Sequence, residues 1–146
     1  ERLGRGVPEM SDRITPPFTE TSARQMVQNA EDIWNRRVAE EVPGGYSEDT
    51  KWRYKDFFLE GRENILPFLL ERWPLQQDYR LKKEMWAFGD RRISVRFISE
   101  WRHRDSGQWY RSFGNEHWEF AADGLMSIQD ISSNDIEITE AERTLS

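Results

Sequence analysis

The amino-acid sequence predicts a single α+β domain in which N-terminal helices precede a strongly curved antiparallel sheet. Two observations carry this prediction. Apolar residues recur with helical spacing in the first half of the chain, whereas aromatic and β-branched segments alternate with turn signals in the second half. Helices first and strands afterwards indicate an α+β rather than a βαβ order. We expect the domain to span residues 18–143, with a flexible arm over 1–17 and a short tail over 144–146.

The first helix is expected to begin after Thr19 or Thr21, either of which can cap its N-terminus. It should end near Arg36 and Arg37, because cations suit the negative end of the helix dipole. Its apolar positions follow the i, i+3, i+4, i+7 pattern and are Ala23, Met26, Val27, Ala30, Ile33 and Trp34.

A short strand over 46–54 and a second helix over 62–73 follow the break at Pro43-Gly44-Gly45, and Pro74 ends that helix. Four strands are then expected, separated by turn signals at Gly89-Asp90-Arg91, Asp105-Ser106-Gly107 and Ala122-Asp123-Gly124. The predicted strands are 78–88, 92–102, 108–121 and 125–131.

Hairpin loop lengths predict the strand register. A two-residue first loop places Glu84 opposite Phe97, and a three-residue second loop places Arg96 opposite Glu116. One face would then carry Glu84, Trp86, Phe97, Arg111, Phe113, Asn115 and His117, and the other would carry Met85, Arg96, Ile98, Tyr110, Glu116, Trp118 and Phe120. A two- or four-residue second loop would swap the two faces of the third strand.

Three segments in this order are similar to a branch of unknown function within the SnoaL-like, nuclear-transport-factor-two-like superfamily. They are WRYKDFFLEGREN at 52–64, DYRLKKEMWAFGDRRISVRFISEW at 78–101 and GQWYRSFGNEHWEF at 107–120. The resemblance implies a cystatin-like cone, in which a bent sheet wraps around helices and a pocket lies at the open end. It also implies that dimers are common. Its relatives include both enzymes and non-catalytic binders, so the fold alone does not give the function.

Within such a cone, the predicted sheet faces indicate which residues would form a site. Glu84 would be the catalytic acid or base, because a carboxylate between aromatic rings is partly desolvated. Arg111 and Asn115 would steady a developing oxyanion, and His117 would be a further acid or base. Each of these has a structural alternative, namely a paired or hydrogen-bonded side chain with no catalytic role. The ligand-binding wall would be formed by Trp34, Trp52, Trp86, Phe97 and Asn115.

Composition restricts the classes of partner. A net charge of −6 argues against nucleic acid and anionic membranes, and no apolar run is long enough for a membrane helix. Without cysteine, and with only His103 and His117 as histidines, no metal or cofactor site is predicted. The arginines at 91, 92, 96, 102 and 104 are offset by nearby acids and indicate a solvated surface. We expect a cytoplasmic protein.

Two functions follow as hypotheses. The first is a pocket for a small hydrophobic or aromatic molecule, with cofactor-independent acid–base chemistry of isomerase, cyclase or dehydratase type. The second is a non-catalytic ligand-binding or dimerisation module. In both cases a homodimer through the outer sheet face is expected, because Ile98, Tyr110, Trp118 and Phe120 would form an apolar surface there.

Overall fold

The computed structural model describes residues 13–146 and confirms the α+β order, with two helices followed by the main part of a six-stranded sheet. The elements are α1 (Glu20–Arg36), β1 (Tyr46–Tyr54), β2 (Phe57–Glu60), α2 (Ile65–Arg72), β3 (Gln76–Phe88), β4 (Arg92–His103), β5 (Trp109–Phe120) and β6 (Met126–Ile138). Short 3₁₀ turns flank α2 and connect α1 to β1. Neither helix within these residues is both long enough and apolar enough to span a membrane.

The sheet has the strand order β2-β1-β6-β5-β4-β3. Its pairs are antiparallel with one exception: β1 runs parallel to β6, whereas the predicted sheet was antiparallel throughout. Register shifts interrupt several of the ladders, and such bulges increase twist and bend a sheet. Buried aromatic and aliphatic side chains from α1, α2 and one sheet face form the core.

Helix α1 lies along β3, which is an edge strand with unpaired backbone groups on one side. The Asn35 side chain donates to the carbonyl of Leu81 at 3.0 Å and accepts from its N–H at 2.8 Å. Glu31 accepts from the backbone N–H of Lys83 at 2.8 Å. These bonds pair the free edge of β3 and fix α1 over the sheet. The helix begins, as predicted, after a capping box at Thr19.

The predicted register of β3 against β4 is wrong beyond the hairpin turn. Gly89 does lie opposite Arg92, since its N–H donates to the Arg92 carbonyl at 2.8 Å. However, Met85 pairs with Val95 and Ala87 pairs with Ser94, so Trp86 is the extra residue of a bulge. The bulge moves the side chains from Arg80 to Met85 to the opposite face.

The second hairpin loop has four residues rather than three. Arg102 pairs with Trp109, and the N–H of His103 donates to the Gln108 carbonyl at 2.8 Å. Gly107 closes the loop with φ of 74°, a left-handed conformation that favours glycine. The two faces of β5 are therefore swapped relative to the predicted ones, the outcome expected of a loop of this length.

Both chain ends of the described region contact the domain. Of the arm predicted over 1–17, residues 1–12 lie outside the described residues. Arg13 donates to the carbonyl of Asp123 at 3.1 Å. At the other end, the N–H groups of Thr144 and Leu145 donate to Glu100, so the predicted tail is attached to β4.

Candidate functional site

A cavity of about 80 Å³ lies between the concave face of the sheet and the two helices. Trp34, Trp52 and Phe97, three of the five residues predicted to bind a ligand, line it; ligand binding itself stays a prediction. Other aromatic rings complete the wall, and Trp34 lies 6.3 Å from Trp52 and 5.4 Å from Trp73 between ring centroids. A mostly apolar cavity with a few convergent polar groups is the usual form of a small-molecule site.

The strongest polar feature of the cavity is an ion pair between Lys83 on β3 and Glu116 on β5. The Nζ of Lys83 contacts Oε2 of Glu116, and the two side chains are only 6% and 3% exposed. The indole N–H of Trp118 donates to Oε1 of Glu116 at 2.7 Å. A carboxylate has about four acceptor positions, so Glu116 can still accept a further hydrogen bond.

Strand β4 lies between β3, which carries Lys83, and β5, which carries Glu116. The two side chains meet across β4 on the cavity face. Phe97 on β4 pairs with Lys83 on one side and with Gly114 on the other. A Cβ on Gly114 would lie 2.1 Å from Cζ of Phe97, so only glycine leaves room for this ring. The Lys83 ammonium then lies 5.2 Å from the Phe97 ring and 5.6 Å from the Trp118 ring, within range of cation–π attraction.

A second polar group of the cavity joins β1 to β6. The Tyr46 hydroxyl donates to Oε1 of Gln129 at 2.6 Å, and both side chains are buried. Burial, and then the nearby charge of Glu116, raise the pKa of Tyr46 well above its ordinary value, although the bond to Gln129 opposes the shift. Tyr46 therefore stays protonated and acts as a donor across the physiological pH range.

Tyr79 lines the cavity on the β3 side, and the side chain of Arg37 stacks on its ring. The Arg37 guanidinium stacks on the Tyr79 ring at 3.8 Å and on the Trp73 ring at 4.3 Å. Burial lowers the pKa of Arg37 to about 10, against the opposing effect of Tyr79. Burial also raises the pKa of Tyr79, against the opposing charge of Arg37, so both groups stay protonated at neutral pH.

The rim of the cavity combines aromatic rings with an arginine. The Arg72 guanidinium carbon lies 4.8 Å from the Tyr54 ring and 5.4 Å from the Phe68 ring. Phe68 stacks on Phe57 from the β1–β2 hairpin, with ring centroids 4.8 Å apart. Arg72 makes no ion pair with any of the residues from 13 to 146.

Two residues of the predicted site leave the cavity because of the bulge in β3. Glu84 lies on the outer face, where Arg96 donates to it at 2.8 Å and both side chains are more than half exposed. Trp86 is 67% exposed and stacks beneath the Arg96 guanidinium at 5.0 Å. The predictions that Glu84 lies in a desolvated pocket and that Trp86 forms its wall are therefore wrong.

Three further residues of the predicted site lie outside the cavity, because the two faces of β5 are swapped relative to the prediction. His117 is exposed and its Nδ1 lies 3.0 Å from Oγ of Ser94, and Asn115 is also exposed on the outer face. Arg111 donates to Glu100 at 2.9 Å and to the Glu142 carbonyl at 2.7 Å. None of the three lines the cavity. Arg111 and His117 have the structural role that was their alternative, because Arg111 is paired with Glu100 and His117 is within hydrogen-bond distance of Ser94.

The polar residues that do line the cavity were not predicted as site residues. The predicted register puts Glu116 on the opposite face, and no role as a base or as a partner is predicted for Lys83. One signal could have identified Lys83: it lies between Leu81 and Met85 in the period-two pattern of β3, where an inward charge needs a partner.

A larger cavity of about 390 Å³ lies on the other side of α1, and it shares Ala30, Trp34, Tyr46 and Trp118 with the first. Two of its polar groups bond to each other, since Gln25 donates to Asn29 at 2.8 Å. Among residues 13–146, no buried ion pair lines this larger cavity, so we assign the candidate site to the smaller one. Within residues 13–146, no group of three or more His, Cys, Asp or Glu residues could hold a metal ion.

Solved structures with similar folds come from proteins with different functions. One is a nuclear-transport-factor-two-like protein of unknown function from Burkholderia pseudomallei, with a TM-score of 0.67 and 17% identity over 77% of this chain and 90% of that one. Another is the epoxide hydrolase/cyclase-like enzyme SalBIII, which has a role in pyran ring formation in the polyether salinomycin; its TM-score is 0.67, with 10% identity over 79% and 92% of the two chains.

A third is a hexachlorocyclohexane dehydrochlorinase, LinA type 2, with a TM-score of 0.64 and 13% identity over 82% of this chain and 89% of that one. At these identities the likeness shows a shared nuclear-transport-factor-two-like fold and no shared reaction. No curated protein matches the sequence. The family described as protein of unknown function (DUF1348) matches residues 16–146, nearly the whole chain. The chain therefore belongs to the DUF1348 family, and its fold is nuclear-transport-factor-two-like.

Proposed function

We propose that this chain binds a small molecule in the cavity beneath α1 and catalyses cofactor-independent proton transfer on it, of isomerase, cyclase or dehydratase type. The observation that carries the proposal is the buried Lys83–Glu116 pair on the cavity wall. A buried ion pair is often no more stable than apolar residues of the same volume. Its position on the wall of a cavity lined by aromatic rings therefore favours a chemical role.

Glu116 would act as the base in this proposal. It would take a proton from a carbon next to a substrate carbonyl, and the electron pair would move onto the carbonyl oxygen. The proton would then return to the same carbon, or to the far carbon of a conjugated enolate, as the electron pair moves back from the oxygen. Lys83 would remain a cation throughout and would stabilise negative charge first on Glu116 and then on the enolate. Hydrogen bonds and charges fixed in a water-poor site are an efficient source of such stabilisation.

The test is deuterium exchange into methyl propyl ketone in D₂O, followed by proton NMR. The wild type should accelerate exchange at the carbons next to the carbonyl. Glu116→Gln should lower the protein-dependent rate by about 100-fold or more, the usual contribution of a general base. Glu116→Asp keeps the charge but withdraws the carboxylate by about 1 Å, which can also cost about 100-fold.

Glu84→Gln is the matched control, because its carboxylate lies on the outer face, 60% exposed and paired with Arg96. Its exchange rate should equal that of the wild type. Circular dichroism spectra confirm that each variant is folded. Exchange that survives in both Glu116 variants, or that is lost in Glu84→Gln, would contradict the assignment of the base.

A dimerisation role for the outer sheet face is the second candidate, and exposed apolar residues favour it. Trp86, Phe113 and Ile136 are 67%, 43% and 46% exposed on this face. The predicted surface residues Trp118 and Phe120 cannot contribute, since both are 2% exposed in the core. We propose a homodimer through Phe113 and its neighbours.

Phe113→Glu should shift this dimer towards monomer in sedimentation velocity at micromolar concentration, because a charge would be buried in an apolar interface. Phe58→Glu is the control, since Phe58 is 72% exposed on β2 at the far edge of the sheet. A wild-type protein that sediments as a monomer would remove this candidate.

A further inference from the structure

Within residues 13–146, three buried polar groups on the cavity wall have no hydrogen-bond partner, namely the Ser133 hydroxyl and two N–H donors. The two N–H donors are Nε1 of Trp52 on β1 and Nε2 of Gln129 on β6. Both residues line the cavity, and they are only 4% and 3% exposed. They are also direct neighbours in the parallel β1–β6 pair. A buried N–H without an acceptor lowers stability, so two such groups side by side in a cavity point to a ligand that supplies the acceptor.

Tyr46 occupies the oxygen end of the Gln129 amide, because its hydroxyl donates to Oε1 at 2.6 Å. Nε2 is the end without a partner among residues 13–146. Tyr46 is a positioning residue in this arrangement, because it keeps the donor end of Gln129 free for another acceptor.

The position of these donors suits a carbonyl group near the Lys83–Glu116 pair. Glu116 pairs with Ile131, so Gln129 is its diagonal neighbour on the adjacent strand and the same face. Diagonal neighbours are about 7–8 Å apart, a separation that leaves space for one small group between carboxylate and amide. The cavity of about 80 Å³ is smaller than the engineered cavity of about 150 Å³ that binds benzene, which favours a compact ligand.

The rim of the cavity carries a positive charge, the guanidinium of Arg72. Arg72 has no carboxylate partner within the part of the chain that the structure describes, and it stacks on Phe68 at 5.4 Å. The Phe68 ring lies 6.1 Å from the Trp52 ring, so it bridges the rim arginine and the inner donors. Arginine binds carboxylates in a bidentate manner, with better geometry than lysine provides.

We propose that the ligand is a small oxo acid, with its carbonyl oxygen bound by Trp52 and Gln129 and its carboxylate bound by Arg72. This inference rests on the proposed function in assuming that the cavity is the small-molecule site, and it adds the class of ligand and the residues that select it. Recognition of the carbonyl by two donors would also stabilise an enolate oxygen formed beside Glu116.

Three probes with the same five-carbon chain separate the two ends of the ligand. Levulinate has a ketone and a carboxylate, valerate has only the carboxylate, and methyl propyl ketone has only the ketone. Binding is measured by titration of ¹⁵N-labelled protein, with the indole N–H signal of Trp52 assigned from its loss in Trp52→Phe. Levulinate should bind about tenfold more tightly than either of the others, since each end supplies a hydrogen-bonded or charge-assisted contact. Both ketones, but not valerate, should shift the Trp52 signal.

Matched variants assign each end of the probe to its residues. Gln129→Leu should abolish the preference for levulinate over valerate but keep its preference over methyl propyl ketone. Arg72→Leu should abolish the preference for levulinate over methyl propyl ketone but keep its preference over valerate. Arg24→Leu is the control, because Arg24 is exposed on α1 and paired with Glu20. Trp52→Phe provides a second route to loss of carbonyl selectivity if Gln129→Leu does not fold.

The inference and the proposed function can fail separately. Equal affinity of the three probes, or a Trp52 signal that no ketone moves, would overturn the recognition of an oxo acid. Selective binding without deuterium exchange would leave this recognition in place and remove the proton-transfer reaction. Exchange of methyl propyl ketone that is unaffected by Gln129→Leu and Trp52→Phe would keep the reaction and overturn the role of these donors.

Discussion

Replacing Lys83 with methionine is expected to lower the free energy of unfolding by about 3–5 kcal/mol, because Glu116 would then be a buried carboxylate without its cation. The Glu116 side chain is only 3% exposed, so it is shielded from bulk water that would otherwise solvate its charge. The hydrogen bond from Trp118 would remain, and it alone does not neutralise the charge. The loss should be visible in urea unfolding at neutral pH.

The matched control is Lys51→Met, since Lys51 and Glu60 form an ion pair at 3.9 Å with side chains 67% and 74% exposed. Exposed pairs contribute about 0–1 kcal/mol, so this variant should unfold close to the wild type. The double variant Lys83→Met with Glu116→Leu should recover most of the lost stability, because both charges are removed together. A Lys83→Met variant as stable as Lys51→Met would show that the pair does not act as a buried ion pair.

The helices and strands could be predicted because their signals are local. Thr19 caps α1 where the spacing of apolar residues begins, and β1 has the predicted bounds of 46–54. The exceptions are β2, for which no strand was predicted, and β6, which continues to Ile138, seven residues beyond its predicted end. The extension of β6 has a physical reason. Its last part is polar because inward groups bond to neighbours, as in the 2.6 Å bond from Ser112 to Asp135. No apolar alternation marks such a strand.

The faces of the sheet could not be predicted with the same success, because they depend on single residues. The bulge at Trp86 and the fourth residue of the second loop each reverse a whole set of side chains. Opposite charges did not resolve the register either. Arg96 was paired with Glu116 in the prediction, whereas it pairs with Glu84 on one face and Lys83 meets Glu116 on the other.

The aromatic part of the site was more predictable than its polar part. Trp52 and Trp34 lie on elements whose bounds were right, and both line the cavity. Gln129 lies in the predicted part of β6, but its role depends on the parallel partner β1, a pairing that connects residues far apart in sequence. A long-range pairing of this kind leaves no local pattern in the chain.

Glu100→Gln is expected to lower the free energy of unfolding by about 3 kcal/mol at pH 7, because a buried and fully bonded carboxylate would be lost. Glu100 is 1% exposed. It accepts from Arg111 at 2.9 Å, from the Leu145 N–H at 2.8 Å and from the Thr144 N–H at 3.1 Å. A glutamine in this place would direct an N–H group at these donors.

The unfolding free energy lost in Glu100→Gln should be larger at neutral pH than in acid. Burial alone would raise the pKa of Glu100, but the bonds from Leu145, Thr144 and Arg111 outweigh it and hold the pKa below its ordinary value of 4.5. A carboxyl with a lowered folded-state pKa contributes stability above its unfolded value, and this stability is lost as the pH falls through the folded value. The difference between wild type and Glu100→Gln should thus be constant above about pH 5 and shrink below it.

A second variant separates the attachment of the C-terminus from a general effect of charge. Removal of residues 144–146 deletes two of the backbone donors to Glu100 and should also destabilise the protein. Because both changes break the same contacts, their combination should cost clearly less than the sum of the two. Glu60→Gln is the control, as its side chain is 74% exposed. Additive losses, or a Glu100→Gln deficit that does not shrink in acid, would contradict a C-terminus held by the ionised Glu100.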